Sequence, residues 1–248
     1  MDADEGLSRL RALGFGDADA QELWAHFDGA EQRGKQGHGH ARIPWLEGLE
    51  GYDPSAQPSL LEEEEDGFQR WHGGGAIGYL VLGRVVRAQL ERPPAHARLV
   101  VCERTFPTGM LGHHVRRLAD GGLVALLTAT SPRRLGHPSG GPKLAGTNPL
   151  AIGIPSSGGD PVVVDASMGA ITWGDVVAGL ASEEELVPFG GEQAHKAFAL
   201  AVGLQLLVDA LVREEGHGAV LLVARPESDP VPALRELAAG VRLPGDSL

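Results

Sequence analysis

Little in this chain can cross-link, ligate or insert. Among its 248 residues there is a single cysteine, Cys102. That excludes an internal disulfide and leaves too few thiols for a structural zinc or iron–sulfur site, so a reducing, cytoplasmic setting is expected. No apolar run approaches the roughly 20 residues of a membrane span, and Met1 to Glu5 is acidic where a secretory signal is basic. No membrane partner is expected. Basic residues are the minority, 21 against 33 acidic ones for a net charge of -12, and no basic stretch dominates, which argues against nucleic acid as a partner. Aromatic residues make up 5% of the chain, which leaves the core to Leu, Val and Ala. Also missing are a P-loop and a strand followed by Gly-x-Gly-x-x-Gly, so the usual Rossmann dinucleotide site is not expected.

What is present suits one large domain or two interleaved subdomains: 42% of the residues are hydrophobic, enough for a sizeable core. Leu7 to Phe27 reads as two short helices broken at Gly14-Phe15-Gly16, the second capped by Asp17 or Asp19. Leu60 to Glu65 reads as solvated acidic surface. Gly73-Gly74-Gly75, with no convincing strand before it, is an ordinary entry to a helix over Ile77 to Leu90. Strands are expected at Arg98–Glu103, Leu123–Thr128, Pro149–Ile154, Pro161–Asp165 and Gly218–Ala224. Lys196–Val212 reads as an apolar helix buried on several sides, and Pro232–Ala239 as a last helix. The expected class is α/β, a mixed sheet with surrounding helices. It divides into an N-terminal helical segment with a His/Arg loop (1–70), a core (71–225) and a C-terminal tail packed back on the N-terminal part (226–248).

Two places suggest chemistry. In Arg33-Gly34-Lys35-Gln36-Gly37-His38-Gly39-His40-Ala41-Arg42, imidazoles that titrate near neutrality stand beside guanidinium groups able to clamp a carboxylate. An anionic substrate undergoing proton transfer fits. His38 and His40 could instead be a metal pair, although no later cluster completes a site. Farther on, Asp165 ends an apolar strand, where its carboxylate needs a hydrogen-bonding or positive partner. It either orients a catalytic imidazole or caps the following turn.

Four blocks, in order, resemble the malate/L-lactate dehydrogenase family of the second type, which includes ureidoglycolate, diketogulonate and piperideine-2-carboxylate enzymes. They are Arg33-Gly34 with His38-Gly39 and Arg42; Gly146-Thr147-Asn148-Pro149-Leu150-Ala151; Asp165-Ala166-Ser167-Met168-Gly169; and Gly190-Gly191 with His195-Lys196 to Ala201. The resemblance implies a non-Rossmann α/β fold, NADH or NADPH as cofactor, a small anionic substrate and a homodimer. The reaction would interconvert a 2-oxo and a 2-hydroxy acid or reduce a cyclic imine. By the same resemblance His38 is the proton donor, Asp165 lies near it, and Arg42 holds the substrate carboxylate with Thr147 and Asn148 nearby. The cofactor would meet Thr105, Val163, Val164, Asp165, Ala166, Ser167, Met168, Gly169, His195 and Lys196.

The chain departs from that pattern at several points. Gly37 stands where relatives carry serine, Pro107 where they carry histidine, and Ala197 and Ala199 where they carry glycine. Val176 to Glu185 replaces a longer connection, which predicts a more open pocket and a bulkier or carrier-bound substrate. Retention of His38, Arg42, Asp165 and Lys196 favours an enzyme; the departures favour a non-catalytic binding or scaffolding member. His40 and Lys35 receive no role.

Overall fold

The computed structural model describes residues 1–65 and 67–246. Two helices open the chain, α1 (Ala3–Ala12) and α2 (Asp17–Gln32). The second is capped by Gly16 rather than by Asp17 or Asp19, which instead place negative charge in its first turn. A 3₁₀ turn at Gln36–His38 leads into α3 (Arg42–Glu47), where Pro44 is tolerated because the first turn needs no backbone donor. Leu10, Leu23, Phe27, Ile43 and Leu46 bury a first apolar cluster there.

The acidic run proves to be an edge strand. β1 (Ser59–Glu64) pairs antiparallel with β2 (Phe68–His72), so a strand does precede the glycines that lead to α4 (Gly78–Glu91). The charges hide both strands from pattern reading. Arg70 is buried in β2 because Glu103 meets it at 2.7 Å, and the acids of β1 are answered by Arg70, Arg92 and Arg213, a charged edge that discourages further pairing.

The remaining elements are β3 (Ala97–Glu103), α5 (Leu111–Asp120), β4 (Val124–Ala129), the short pair β5 (Leu135–Gly136) and β6 (Lys143–Ala145), β7 (Leu150–Ile154), β8 (Val162–Ala166), α6 (Trp173–Val177), α7 (Ala194–Leu211), β9 (Ala219–Ala224) and α8 (Val231–Ala238). Seven strands form one sheet in the order β1-β2-β3-β9-β4-β7-β8. Only β2 and β3 run parallel. This is the expected mixed sheet, and α4 and α5 bury one face of it through Val81, Val85, Val115 and Leu118 against Val100, Leu221, Leu127 and Ala151.

The opposite face is less covered. Leu99 pairs with Leu222, Leu222 with Leu126, Leu126 with Ile152 and Ile152 with Val164, so one apolar row crosses five strands, and Leu222 is 44% exposed. On α7 only one side is buried, by Ala197, Ala201, Gln205 and Val208, while Leu200, Leu206 and Leu207 stay exposed. That corrects the expected burial on several sides: the helix is apolar all round, but the chain itself covers one face. Gly191–Leu211 is, by length and composition, also apolar enough to cross a membrane, although Glu192, His195, Lys196 and Gln205 interrupt its apolar run. Its buried face is tied into the fold, since Asn148 donates to Ala201 O and to Gln205 Oε1, both at 3.0 Å.

The tail after α8 runs beside β8 and α5. Pro244 O accepts from Val163 N at 2.9 Å, and Arg116 donates to Gly245 O.

Candidate active site

Two cavities meet at the end of β8. The first, of about 410 Å³, opens between the His38 turn, the segment Phe106–Met110, Thr130–Pro132, Thr147 and the loop Ser167–Asp175. His38 and Arg42 line it. Arg42 is 5% exposed; its Nε donates to Gly37 O at 2.8 Å and its guanidinium lies 4.7 Å from the centre of the Trp45 ring. One side of the fork is thereby fixed, which preorients the rest of the guanidinium for a planar anion. Burial, and then the charge of Arg42, pull His38 down to about 3, with Asp175 pulling weakly the other way. The imidazole is therefore neutral at pH 7, and its Nδ1 is buried without a partner among the described residues.

Asp165 lines both cavities. Its Oδ2 accepts from Gly112 N at 2.7 Å, in the first turn of α5, so the cap reading of this residue is realised on a helix rather than on the turn after β8. A helix N-terminus ordinarily favours the carboxylate. Burial outweighs it here and pushes the carboxyl up to about 6.

The second cavity, of about 500 Å³, lies between α2, α5, β8 and the tail. Arg33, Lys35, Arg116, Arg117 and Arg242 line it, with His113, Asp120 and Asp246. Glu22 pairs with Arg117 and Arg235 with Asp246. By contrast Arg33, Arg116 and Arg242 bond only backbone carbonyls among the described residues, those of Gly29, Gly245 and Asp246. Burial lowers Arg33, and the charge of Arg116 lowers it further. Asp120 and Asp160 act on Arg33 and Asp246 on Arg242 without hydrogen bonds to them, and guanidinium groups with free N–H groups around a cavity make a ready anion site.

The structure brings together His38, Arg42, Thr147, Asp165, Ser167 and Gly169 around the first cavity, and Val163, Val164 and Asp165 around the second. Other expected residues lie elsewhere. Asn148 is buried, holding α7 as described and accepting from Ser131 N. Thr105 is buried with its hydroxyl on Glu103 O. Met168 packs in the apolar cluster with Leu135 and Leu186. Ala166 is exposed at the strand end, and His195 and Lys196 are exposed in the first turn of α7, outside both cavities. His40 stacks on Trp24 at 4.8 Å and bonds Asp28 at 3.1 Å, so it leaves His38, and no group of three or more His, Cys, Asp or Glu among the described residues could hold a metal.

Two departures acquire a physical reason. A Cβ at Gly37 would stand 2.7 Å from Asp175 N and 2.8 Å from the Gly174 carbonyl carbon, so no serine fits. The segment that leads into the short connection occupies that space: Thr172 and Asp175 form a capping box that starts α6, which lays Gly174 on the His38 turn. The expected opening of the pocket is therefore limited, because Ile171 to Asp175 wall it. Sequence reasoning missed Arg116, Arg242 and Lys35, which reach the second cavity from three separate segments and carry no common motif. It also missed Tyr79 and Trp45 in the first.

Comparison with known proteins agrees with this architecture. Residues 6–185 match the family described as malate/L-lactate dehydrogenase. The chain is 29% identical over 186 residues to Delta(1)-pyrroline-2-carboxylate reductase of Pseudomonas fluorescens, covering 64% of this chain and 54% of that protein. It is 30% identical over 216 residues to Delta(1)-pyrroline-2-carboxylate/Delta(1)-piperideine-2-carboxylate reductase of Pseudomonas syringae pv. tomato, covering 73% and 60%. The chain thus spans little more than half the length of these relatives. The crystal structure of delta1-piperideine-2-carboxylate reductase from that organism superposes with a TM-score of 0.82 at 24% identity, over 98% of this chain and 89% of that one, which establishes the shared fold.

Proposed function

The chain belongs to the malate/L-lactate dehydrogenase family, and from that premise we propose that it is an oxidoreductase using NADH or NADPH, reducing a C=O or C=N group beside a carboxylate or running the reverse oxidation. The observation that carries this reading is the adjacency of the two cavities: one holds an imidazole and a preoriented guanidinium, the other is rimmed with arginines, and Asp165 forms part of both walls. The relatives named for pyrroline- and piperideine-2-carboxylate reduction support a small cyclic imino acid or 2-oxo acid, a size that suits about 410 Å³.

The cofactor's reactive ring would lie where the cavities join, near Asp165 and Ser167, with its pyrophosphate toward Lys35, which lines both, and its far end toward the basic rim of the second. That basic rim fits a polyanion. When bound, the nicotinamide supplies or accepts the hydride. The chain's own residues do the rest. Arg42 holds the substrate carboxylate, which places the neighbouring carbon against His38. An anion on Arg42 cancels the second cause of His38's lowering, after burial, and adds a negative neighbour, which strengthens the imidazole's hold on a proton as the substrate enters. His38 then gives that proton to the oxygen or nitrogen that becomes negative as the double bond is reduced. Asp165, pushed up to about 6, lies beside the same space as a second protonatable group.

Titration with NADH and NADPH, followed by nicotinamide fluorescence, tests the reading, which predicts saturable binding of at least one. If neither binds at millimolar concentration, it fails. We also propose a homodimer, in which the row through Leu222 and the exposed side of α7 meet a second copy. Sedimentation equilibrium at twice the chain mass is expected, and a monomer at micromolar concentration overturns it.

A further inference from the structure

We infer that the chain takes NADPH in preference to NADH, the extra phosphate on its adenosine ribose being held by Arg33, Arg116 and Arg242. The inference rests on the cofactor reading above and adds a specificity to it.

Placement separates the cations of the second cavity into two groups. Lys35 lines both cavities, as do Met110 and Asp165, so it stands at the junction. Arg33, Arg116 and Arg242 line the second cavity only. A dinucleotide whose reactive end is beside Asp165 would carry its far ribose toward these three. They come from different elements, the end of α2, the middle of α5 and the tail, yet face one space. Each is anchored by a backbone carbonyl, to Gly29, Gly245 and Asp246 respectively. That leaves further N–H groups on each planar fork for a phosphate monoester, which guanidinium groups bind through paired hydrogen bonds.

The carboxylates nearby do not offer the alternative. A site built for the unmodified ribose would present an acid to its hydroxyls. Here Asp246 is engaged by Arg235 at 2.8 Å and by Leu243 N at 2.8 Å, and Asp165 is at the junction with Gly112 N. Asp120 remains, exposed at the last turn of α5. Among the residues that line the cavity, one carboxylate without a hydrogen-bonded partner stands with three guanidinium groups, and although Asp160 also acts on Arg33 and Asp246 on Arg242, the cations of the lining outnumber the acids, which favours added negative charge. Arg33 is lowered first by burial and then by the charge of Arg116, with Asp120 and Asp160 pulling the other way.

Equilibrium titration of the full chain tests this without turnover. NADPH should bind about tenfold or more tighter than NADH, 2′,5′-ADP should compete better than 5′-AMP, and added salt should weaken NADPH more than NADH. Arg33→Gln should remove most of that tenfold preference by weakening NADPH while leaving NADH within about threefold. If Arg33→Gln does not fold, Arg242→Gln, in the exposed tail, should act in the same direction. Equal or tighter binding of NADH by the unaltered protein overturns the inference and leaves the oxidoreductase reading standing. Equal loss of both cofactors in the two variants also overturns it, since the arginines would then hold the shared pyrophosphate. Binding of neither cofactor overturns both readings.

Discussion

The two cavities are built on opposite principles. In the first, the polar groups are buried and held by the protein itself: Arg42 is fixed on Gly37 O and against Trp45, and His38 is kept neutral by burial and by that same arginine. In the second, Arg117 is paired with Glu22, while Arg33, Arg116 and Arg242 bond main-chain carbonyls and no carboxylate among the described residues. A preorganised neutral site suits a reaction that must move one proton at a defined atom. A cationic rim suits a ligand with several negative charges, for which field matters more than the position of any one contact. On the proposed reading function is divided: chemistry in one cavity, capture in the other.

The division is broken most strongly at His38. His38→Ala should lower turnover by about 10² to 10⁴, the usual contribution of a positioned acid, while nicotinamide fluorescence reports cofactor binding within about twofold of the unaltered protein, since the ring lines only the first cavity. Because the free imidazole titrates near 3, binding of a carboxylate such as pyruvate should draw a proton from solution between pH 5 and 7. Calorimetry in buffers of different ionisation enthalpy measures that uptake. Full turnover in the alanine variant would move the proton donor elsewhere and dissolve the contrast.

The first cavity was legible in the sequence and the second was not, for a physical reason. His38, Arg42, Thr147 and Asp165 lie in short contiguous blocks, so the His/Arg loop and the strand-end Asp165 stand out from the residues themselves and the family resemblance of the blocks points to Thr147 and to the roles. The second cavity is assembled by tertiary structure: residues 33 and 35 belong to the His/Arg loop, but residues 116 and 242 reach it from α5 and the tail, where nothing in their own segments marks them. The same limit hid β1 and β2. Their charges become sensible only when Arg70 meets Glu103 across the sheet. Gly37 was legible as a departure but not as a consequence: the segment leading into the shortened connection, which brings Gly174 and Asp175 against it, is more than 130 residues away in the chain. Helices and central strands, whose apolar spacing is local, were placed nearly as they stand.

Asp165 sharpens the comparison because it belongs to both walls. Its carboxyl is pushed from an ordinary 3.8 up to about 6 by burial, against the Gly112 N–H. Between about pH 4 and 6 the folded protein therefore holds a proton on this group that the unfolded chain has lost, so its contribution to stability falls as pH rises through that window. Two units correspond to about 3 kcal/mol. His38 and His113, lowered to about 3 and about 4 by burial, act in the opposite sense, weakening the fold as pH drops below their ordinary value. The total stability curve mixes these effects, but the difference between the unaltered protein and Asp165→Asn isolates the carboxyl. The variant can keep the bond from Gly112 N without acquiring charge, so its relative stability in urea denaturation should increase from pH 4 to pH 7. Its affinity for NADPH should rise over the same range, because a negative charge next to the basic rim has been removed. A flat stability difference would mean that Asp165 is solvated rather than buried, and the wall between a neutral and a charged cavity would not exist.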